Sequence, residues 1–115
     1  MNEKFEALQT AHEYIGRLKE GIKEAVSYFQ AGNEREGCVL IPQITEGIQW
    51  ISQVVVLTKD VQKEEITLDS MNERLEEIVE AFENEDFILI GDLFEYEILP
   101  ILEKIEEKIA KSIVQ

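Results

Sequence analysis

The chain of 115 residues has few of the residues that catalysis and metal binding require, with one cysteine and one histidine. A single cysteine cannot form a disulfide within the chain, so we expect a reducing compartment, the cytoplasm. One cysteine and one histidine exclude the usual Cys/His structural zinc sites. A di-iron bundle would need two Glu-x-x-His motifs, and Gln9 stands where a glutamate would have to precede His12. No glycine-rich phosphate-binding loop is present, and we expect no cofactor and no metal.

Basic residues are also scarce, because 11 Lys and Arg face 25 Asp and Glu, for a net charge of -14. Residues 1–63 carry nine acids and seven bases, whereas residues 64–115 carry sixteen acids and four bases. Such a surface repels nucleic-acid phosphate and anionic lipid, so we expect neither nucleic acid nor membrane as a partner. In the simpler interpretation, the negative charge only keeps the protein soluble. In the alternative interpretation, it attracts a basic partner.

Long apolar runs are absent as well, since none approaches the roughly 18 residues of a membrane span. Met1 is followed by a charged amphipathic segment and not by the apolar run of a signal peptide. Hydropathy follows the helical period in four segments instead, and the length suits a single domain, 1–115. The sequence therefore predicts an all-α fold, an antiparallel four-helix bundle made of two helical hairpins.

The first hairpin is predicted from helices at 3–30 and 34–62. Gly32 is expected just past the end of the first helix, and Asn33 can cap the second. Gly16 and Gly21 each weaken the first helix, and both are candidates for positions of close helix approach. Pro42 either kinks the second helix near this position or begins it, which would leave residues 34–41 as a separate turn.

The second hairpin is predicted from helices at 68–83 and 86–112, with Thr67 as a cap for the third helix. The third helix has apolar residues at three-four spacing, namely Leu68, Met71, Leu75, Ile78 and Phe82. Pro100 is expected to kink the last helix.

The last helix carries two apolar stripes between residues 87 and 105. The broad stripe holds Phe87, Ile90, Gly91, Phe94, Ile98, Ile101, Leu102 and Ile105. The narrow stripe holds Leu89, Leu93, Tyr96 and Pro100. A helix with two apolar faces either lies centrally in its own fold or presents one face to a partner.

The leading hypothesis is a non-enzymatic cytoplasmic adaptor or chaperone-like protein. It would bind a partner helix, or a second copy of itself as a homodimer, through the narrow stripe, with Trp50 as a possible addition. Three acidic residues at the rim of this stripe would favour a partner with basic residues beside its apolar face, namely Asp92, Glu95 and Glu97.

The alternative is a small helical enzyme or divalent-metal binder that uses the carboxylates of Asp92, Glu95 and Glu97. Asp92 and Glu95 share a helix face, but Glu97 lies on a different side of the helix. Hard cations require more oxygen ligands than these two neighbouring carboxylates supply. Cys38 and His12 could form a nucleophile pair, although a lone cysteine beside an apolar residue is usually a small core residue.

Two stretches, Glu46-Gly47-Ile48-Gln49-Trp50 and the nine residues 92–100 (DLFEYEILP), carry a resemblance. They resemble a family of small acidic helical proteins from Firmicutes, described only as a domain of unknown function. The resemblance implies an all-helical fold and no established activity, so it assigns no functional residue. The size and the helical hairpins are also similar to those of flagellar export chaperones, a likeness of architecture that does not fix function.

Overall fold

The computed structural model describes residues 2–113 and contains helices but no strand in that range. Helix α1 spans Glu3–Gln30, α2 spans Glu34–Leu57 and α3 spans Asp69–Glu83. The last helix, 87–113, has three consecutive parts: α4 at Phe87–Leu93, a π-helical turn at Phe94–Ile98, and α5 at Leu99–Ile113. The prediction of an all-α fold with four helices is confirmed.

The turn between α1 and α2 follows from a glycine at the predicted place. Gly32 has a φ of 81°, a left-handed conformation that glycine adopts without a Cβ clash. The backbone N–H of Asn33 donates to the carbonyl of Tyr28 at 2.8 Å, which closes the end of α1. Asn33 occupies the position before α2 as predicted, but its side chain makes no capping hydrogen bond.

The turn between α3 and the last helix has the same geometry without a glycine. Glu85 has a φ of 54°. The backbone N–H of Asp86 donates to the carbonyl of Ala81 at 2.9 Å. The Asp86 side chain then accepts from the backbone N–H of Leu89 at 3.2 Å and caps the last helix.

Helix α2 ends earlier than predicted, at Leu57 and not at residue 62, and a 3₁₀ turn at Lys59–Val61 follows. The buried hydroxyl of Thr58 donates to the carbonyl of Val54 at 2.7 Å. The Gln62 amide donates to the carbonyl of Val55 at 2.8 Å and accepts from the backbone N–H of Ile66 at 3.2 Å. These side chains satisfy the last carbonyls of α2, and so they favour the turn over a further helical turn.

Two local predictions in this part of the chain need correction. Pro42 lies inside α2, which is helical on both sides of it, so residues 34–41 are not a separate turn. Thr67 does not cap α3, because Leu68 occupies the cap position and no side chain makes a capping bond there.

Helix α1 packs against α2 and against all three parts of the last helix, and the last helix also packs against α3. Phe29, near the end of α1, shows how closely the helices approach. A Cβ added to Gly37 of α2 would lie 2.8 Å from the Phe29 ring, and one added to Gly91 of α4 would lie 3.2 Å from the Phe29 Cβ. The two glycines therefore provide the space that this phenylalanine fills. Gly16 and Gly21 do not permit close helix approach, since a Cβ there would meet nothing within 4 Å.

Candidate functional site

An apolar groove lies between α2 and α3. Each helix contributes four residues at positions i, i+3, i+4 and i+7, the spacing of a single helix face. The lining residues are Cys38, Ile41, Pro42 and Thr45 from α2 and Leu75, Ile78, Val79 and Phe82 from α3. The groove exists because the backbones of α2 and α3 do not pack closely against each other, whereas each packs against a different helix.

The groove presents large apolar side chains to solvent. Val79 is 58% exposed and Phe82 is 48% exposed, whereas Ile78, which also lines the groove, is buried. The groove encloses about 240 Å³. This volume is below the roughly 300–1,000 Å³ of pockets that hold drug-sized ligands, so it suits side chains of a partner better than a small molecule.

Carboxylates follow the solvent side of the groove on α3. Glu76 lies three positions before Val79, Glu80 one position after it and Glu83 four positions after it. At these spacings the three side chains form a row on the helix surface beside Val79. Within residues 2–113, none of these three glutamates forms an ion pair. The one base of α3, Arg74, is instead bonded to Glu77 and lies 3.7 Å from Glu97. The α3 side of the groove is therefore negative.

Cys38 lies half-buried in the groove, where burial and, less strongly, the charge of Glu34 raise the pKa of its thiol. A raised thiol pKa leaves little thiolate at neutral pH, and thiolate is the reactive form. His12 cannot assist it. The neighbour of Cys38, Gly37, lies against Phe29, which is roughly 25 Å along α1 from His12.

The structure does not present the predicted partner-binding stripe of the last helix as one surface. Leu93 is 6% exposed, because α3 packs against this part of the helix. Leu89 and Tyr96 are 41% and 66% exposed, and Pro100 is exposed as well. The exposed members of the stripe are thus separated by a buried residue.

Trp50 packs on α1, where its ring meets the ring of Tyr14 edge-on at 5.5 Å between centroids. Tyr14 in turn fits against α2 because position 47 is a glycine. A Cβ on Gly47 would lie 2.6 Å from the Tyr14 hydroxyl oxygen. Trp50 therefore has a packing partner within the fold, and the structure does not place it in the α2–α3 groove.

The three acids of the proposed metal site point toward different neighbours. Glu95 accepts a hydrogen bond from the Gln30 amide of α1 at 3.0 Å, and its proximity raises the pKa of the Tyr96 hydroxyl. Glu97 lies near Arg74 of α3, and Asp92 is exposed. In the described part of the chain, no three Asp, Glu, His or Cys side chains converge as metal ligands would.

The π-helical turn explains how the last helix buries residues on two sides. The backbone N–H of Leu99 donates to the carbonyl of Phe94, five residues before it. The last helix also buries two adjacent residues, Leu93 and Phe94, and again two adjacent residues five positions later, Ile98 and Leu99. This five-residue repeat is the signal for the π-helical turn that the sequence contained. Pro100 predicted a bend in the last helix but did not indicate a π-helical turn.

Most of the chain matches the sequence model of one protein family. The sequence model of a family described as a domain of unknown function (DUF8042) matches residues 6–108. The chain belongs to the DUF8042 family. The match confirms the expectation of a family that is described only as a domain of unknown function. No curated protein and no solved structure matches this DUF8042 chain significantly. Within residues 2–113 no helix combines the length and the hydropathy of a membrane span.

The groove was not predicted from the sequence, although three of its eight lining residues lie on the predicted apolar stripe of the third helix. These three residues are Leu75, Ile78 and Phe82. Val79 completes the i, i+3, i+4, i+7 set on α3, and Ile41, Pro42 and Thr45 belong to the matching set on α2. Periodicity shows that both faces are apolar, but it does not show that the two faces stay apart.

Proposed function

We propose that this DUF8042 protein is a non-enzymatic cytoplasmic interaction module, an adaptor or chaperone-like protein that binds a partner's helix in the α2–α3 groove. The hypothesis of helix binding is kept from the sequence, and the binding surface moves from the last helix to the groove. The observation that carries the proposal is the unpacked apolar face that α2 and α3 form together. Partner helices dock into such grooves through residues at i, i+3, i+4 and i+7.

The proposal includes the arrangement of the helices as an antiparallel four-helix bundle that is open between α2 and α3. The pairing of Lys4 with Asp60 at 2.7 Å supports it, because it joins the start of α1 to the segment after α2. The pairing of Lys111 with Glu64 at 2.9 Å supports it at the same end, because it joins the last helix to the segment before α3. A single domain of two hairpins, with four helix ends at one end of the molecule, accounts for both contacts.

The exposed residues of the last helix remain a second candidate surface. Leu89 and Tyr96 present apolar area to solvent, but Leu93 between them is buried. Isolated exposed apolar residues are normal on a folded protein, whereas a continuous apolar groove is a more specific sign of binding. The groove is therefore the surface to test first.

The test uses a synthetic peptide of about 18 residues with leucines at i, i+3, i+4 and i+7 and only uncharged polar residues elsewhere. Binding is followed by fluorescence anisotropy of the labelled peptide. Occupancy of the groove is followed by the rate at which N-ethylmaleimide alkylates Cys38, the one cysteine of the chain. We expect the peptide to bind and to slow this alkylation.

Two groove variants and one matched control assign the site. Val79→Ser and Phe82→Ala remove apolar surface from exposed positions, so the fold is retained and peptide binding weakens about tenfold. Ile88→Ser removes a side chain that is also exposed but lies outside the groove, and it leaves binding unchanged. The proposal fails if the peptide does not bind, or if the groove variants bind it as well as Ile88→Ser does.

A further inference from the structure

The two helices that form the groove carry charge of almost one sign. Helix α2 has three acids and one arginine, and α3 has six acids and one arginine, with no lysine on either. The arginine of α3, Arg74, is held by Glu77 and lies within 4 Å of Glu73 and Glu97. It cannot neutralise the acids on the opposite side of α3.

The acids nearest the exposed groove residues form the row Glu76, Glu80 and Glu83. This row runs along the solvent side of Val79, and all three side chains are exposed. A helix lying in the groove would bring the flank of its apolar face alongside this row. The row therefore meets the residues that border the partner's apolar stripe.

We propose that the occupant of the groove is a cationic amphipathic helix, whose apolar stripe enters the groove and whose flanking Lys or Arg side chains pair with Glu76, Glu80 and Glu83. The inference rests on the proposed function, because it names the partner of the same site. The apolar contact supplies most of the affinity, and the charged flank supplies selectivity and a faster association.

The charge also argues against a second copy of the chain as the occupant. A symmetric dimer through this groove would bring the glutamate rows of both copies to one interface. Like charges placed together across an interface oppose association. The net charge of -14 acts in the same direction.

The experiment compares three peptides with the same leucine positions and with lysine, glutamine or glutamate flanks. We expect the lysine peptide to bind about tenfold more tightly than the glutamine peptide at about 50 mM salt, and the glutamate peptide to bind most weakly. At about 300 mM salt the advantage of lysine should fall to about threefold or less, because exposed charges are screened. All three are also assayed by protection of Cys38 from alkylation.

A triple variant, Glu76→Gln, Glu80→Gln and Glu83→Gln, isolates the row. It should bring the lysine peptide to the affinity of the glutamine peptide and leave the glutamine peptide unchanged. The matched control removes the same charge from exposed positions of α1 through Glu6→Gln, Glu13→Gln and Glu24→Gln. We expect the control to retain most of the advantage of lysine.

The outcomes separate this inference from the proposed function. If the glutamine peptide binds but lysine flanks give no advantage, the cationic partner is wrong and the groove remains a helix-binding site. If both triple variants lose the advantage equally, the net charge is responsible and the assignment to the glutamate row is wrong. If no peptide protects Cys38, or if the free protein is a dimer with Cys38 inaccessible, the proposed function and this inference both fail.

Discussion

Glu85 is a single residue at which local backbone preference and the fold disagree. It has a φ of 54° in the turn before the last helix, where side chains with a Cβ are disfavoured. Glu85→Gly should therefore raise the free energy of unfolding by about 1 kcal/mol, measured by urea denaturation. Gly32, with a φ of 81° in the equivalent turn, gives the reciprocal control. Gly32→Ala should lower stability by about 1 kcal/mol, and a Glu85→Gly variant less stable than the wild type would contradict this account of the turn.

Leu89 and Leu93 share the narrow stripe of the last helix but differ in burial, with exposures of 41% and 6%. Leu93→Glu places a carboxylate into the contact with α3, so we expect a loss of about 3 kcal/mol or more. Leu89→Glu should change stability by about 1 kcal/mol or less, because the new charge can stay in water. Thermal melting of the two variants makes the comparison. Equal melting temperatures would show that Leu93 is not part of the core.

Some of these single-residue features could be predicted from the sequence and others could not. The glycine after α1 was predictable, because Gly32 is the residue type that a left-handed helix end favours. The same conformation at Glu85 was not, since glutamate gives no local signal for it. The burial of Leu93 was not predictable either, because an apolar residue on a second stripe fits a core and an interface equally well.

At the scale of elements, the predicted bounds of α1 agree with the structure because its apolar period is unbroken from Phe5 to Phe29. The early end of α2 depends on Thr58 and Gln62, whose side chains bond to backbone carbonyls of the same helix. Such bonds need a folded turn to form, so hydropathy does not reveal them. The π-helical turn was missed for a related reason: a search for α-helical spacing does not find pairs five residues apart.

One-residue deletions test the role of the π-helical turn. Removing exposed Tyr96 shortens that turn to α-helical length and keeps Leu93 with Ile98 and Phe94 with Leu99 in register. Its cost should be about 3 kcal/mol, arising mainly from the ring of Pro100 in a regular helix. Removing exposed Lys104 from α5 instead rotates every later residue by about 100°, which turns Ile105 and Ile109 out of the core. Urea unfolding should show a much larger loss for the Lys104 deletion, and equal losses would mean that the wide turn is not an inserted residue.

At the scale of the whole molecule, two ion pairs hold the segment between α2 and α3 to the helices beside it. Lys4 lowers the pKa of Asp60, and Lys111 lowers the pKa of Glu64. A carboxyl whose pKa is lower in the folded state stabilises the fold above its unfolded pKa, and this contribution is lost as pH falls through the folded value. The stability from these pairs should therefore be present above the ordinary values of 3.8 and 4.5 and decline below them. Lys4→Gln with Lys111→Gln should show a shallower loss of melting temperature below about pH 4.5, and an unchanged pH profile would exclude these pairs as a cause.

The distribution of charge predicts how the molecule responds to salt. Residues 64–115 carry sixteen acids and four bases, so repulsive pairs outnumber attractive ones in this half of the chain. Salt also weakens the exposed pairs of Lys4 and Lys111, but ion pairs between exposed side chains stabilise a fold only weakly. We expect the repulsion to dominate, so the melting temperature should rise by a few degrees between about 10 and about 150 mM salt, where the screening length falls from roughly 30 to 8 Å. The variant with glutamine at 76, 80 and 83 should melt higher at low salt and gain less from added salt, because three of the repelling carboxylates are gone. A melting temperature that falls with added salt would mean that the ion pairs contribute more than the acidic surface costs.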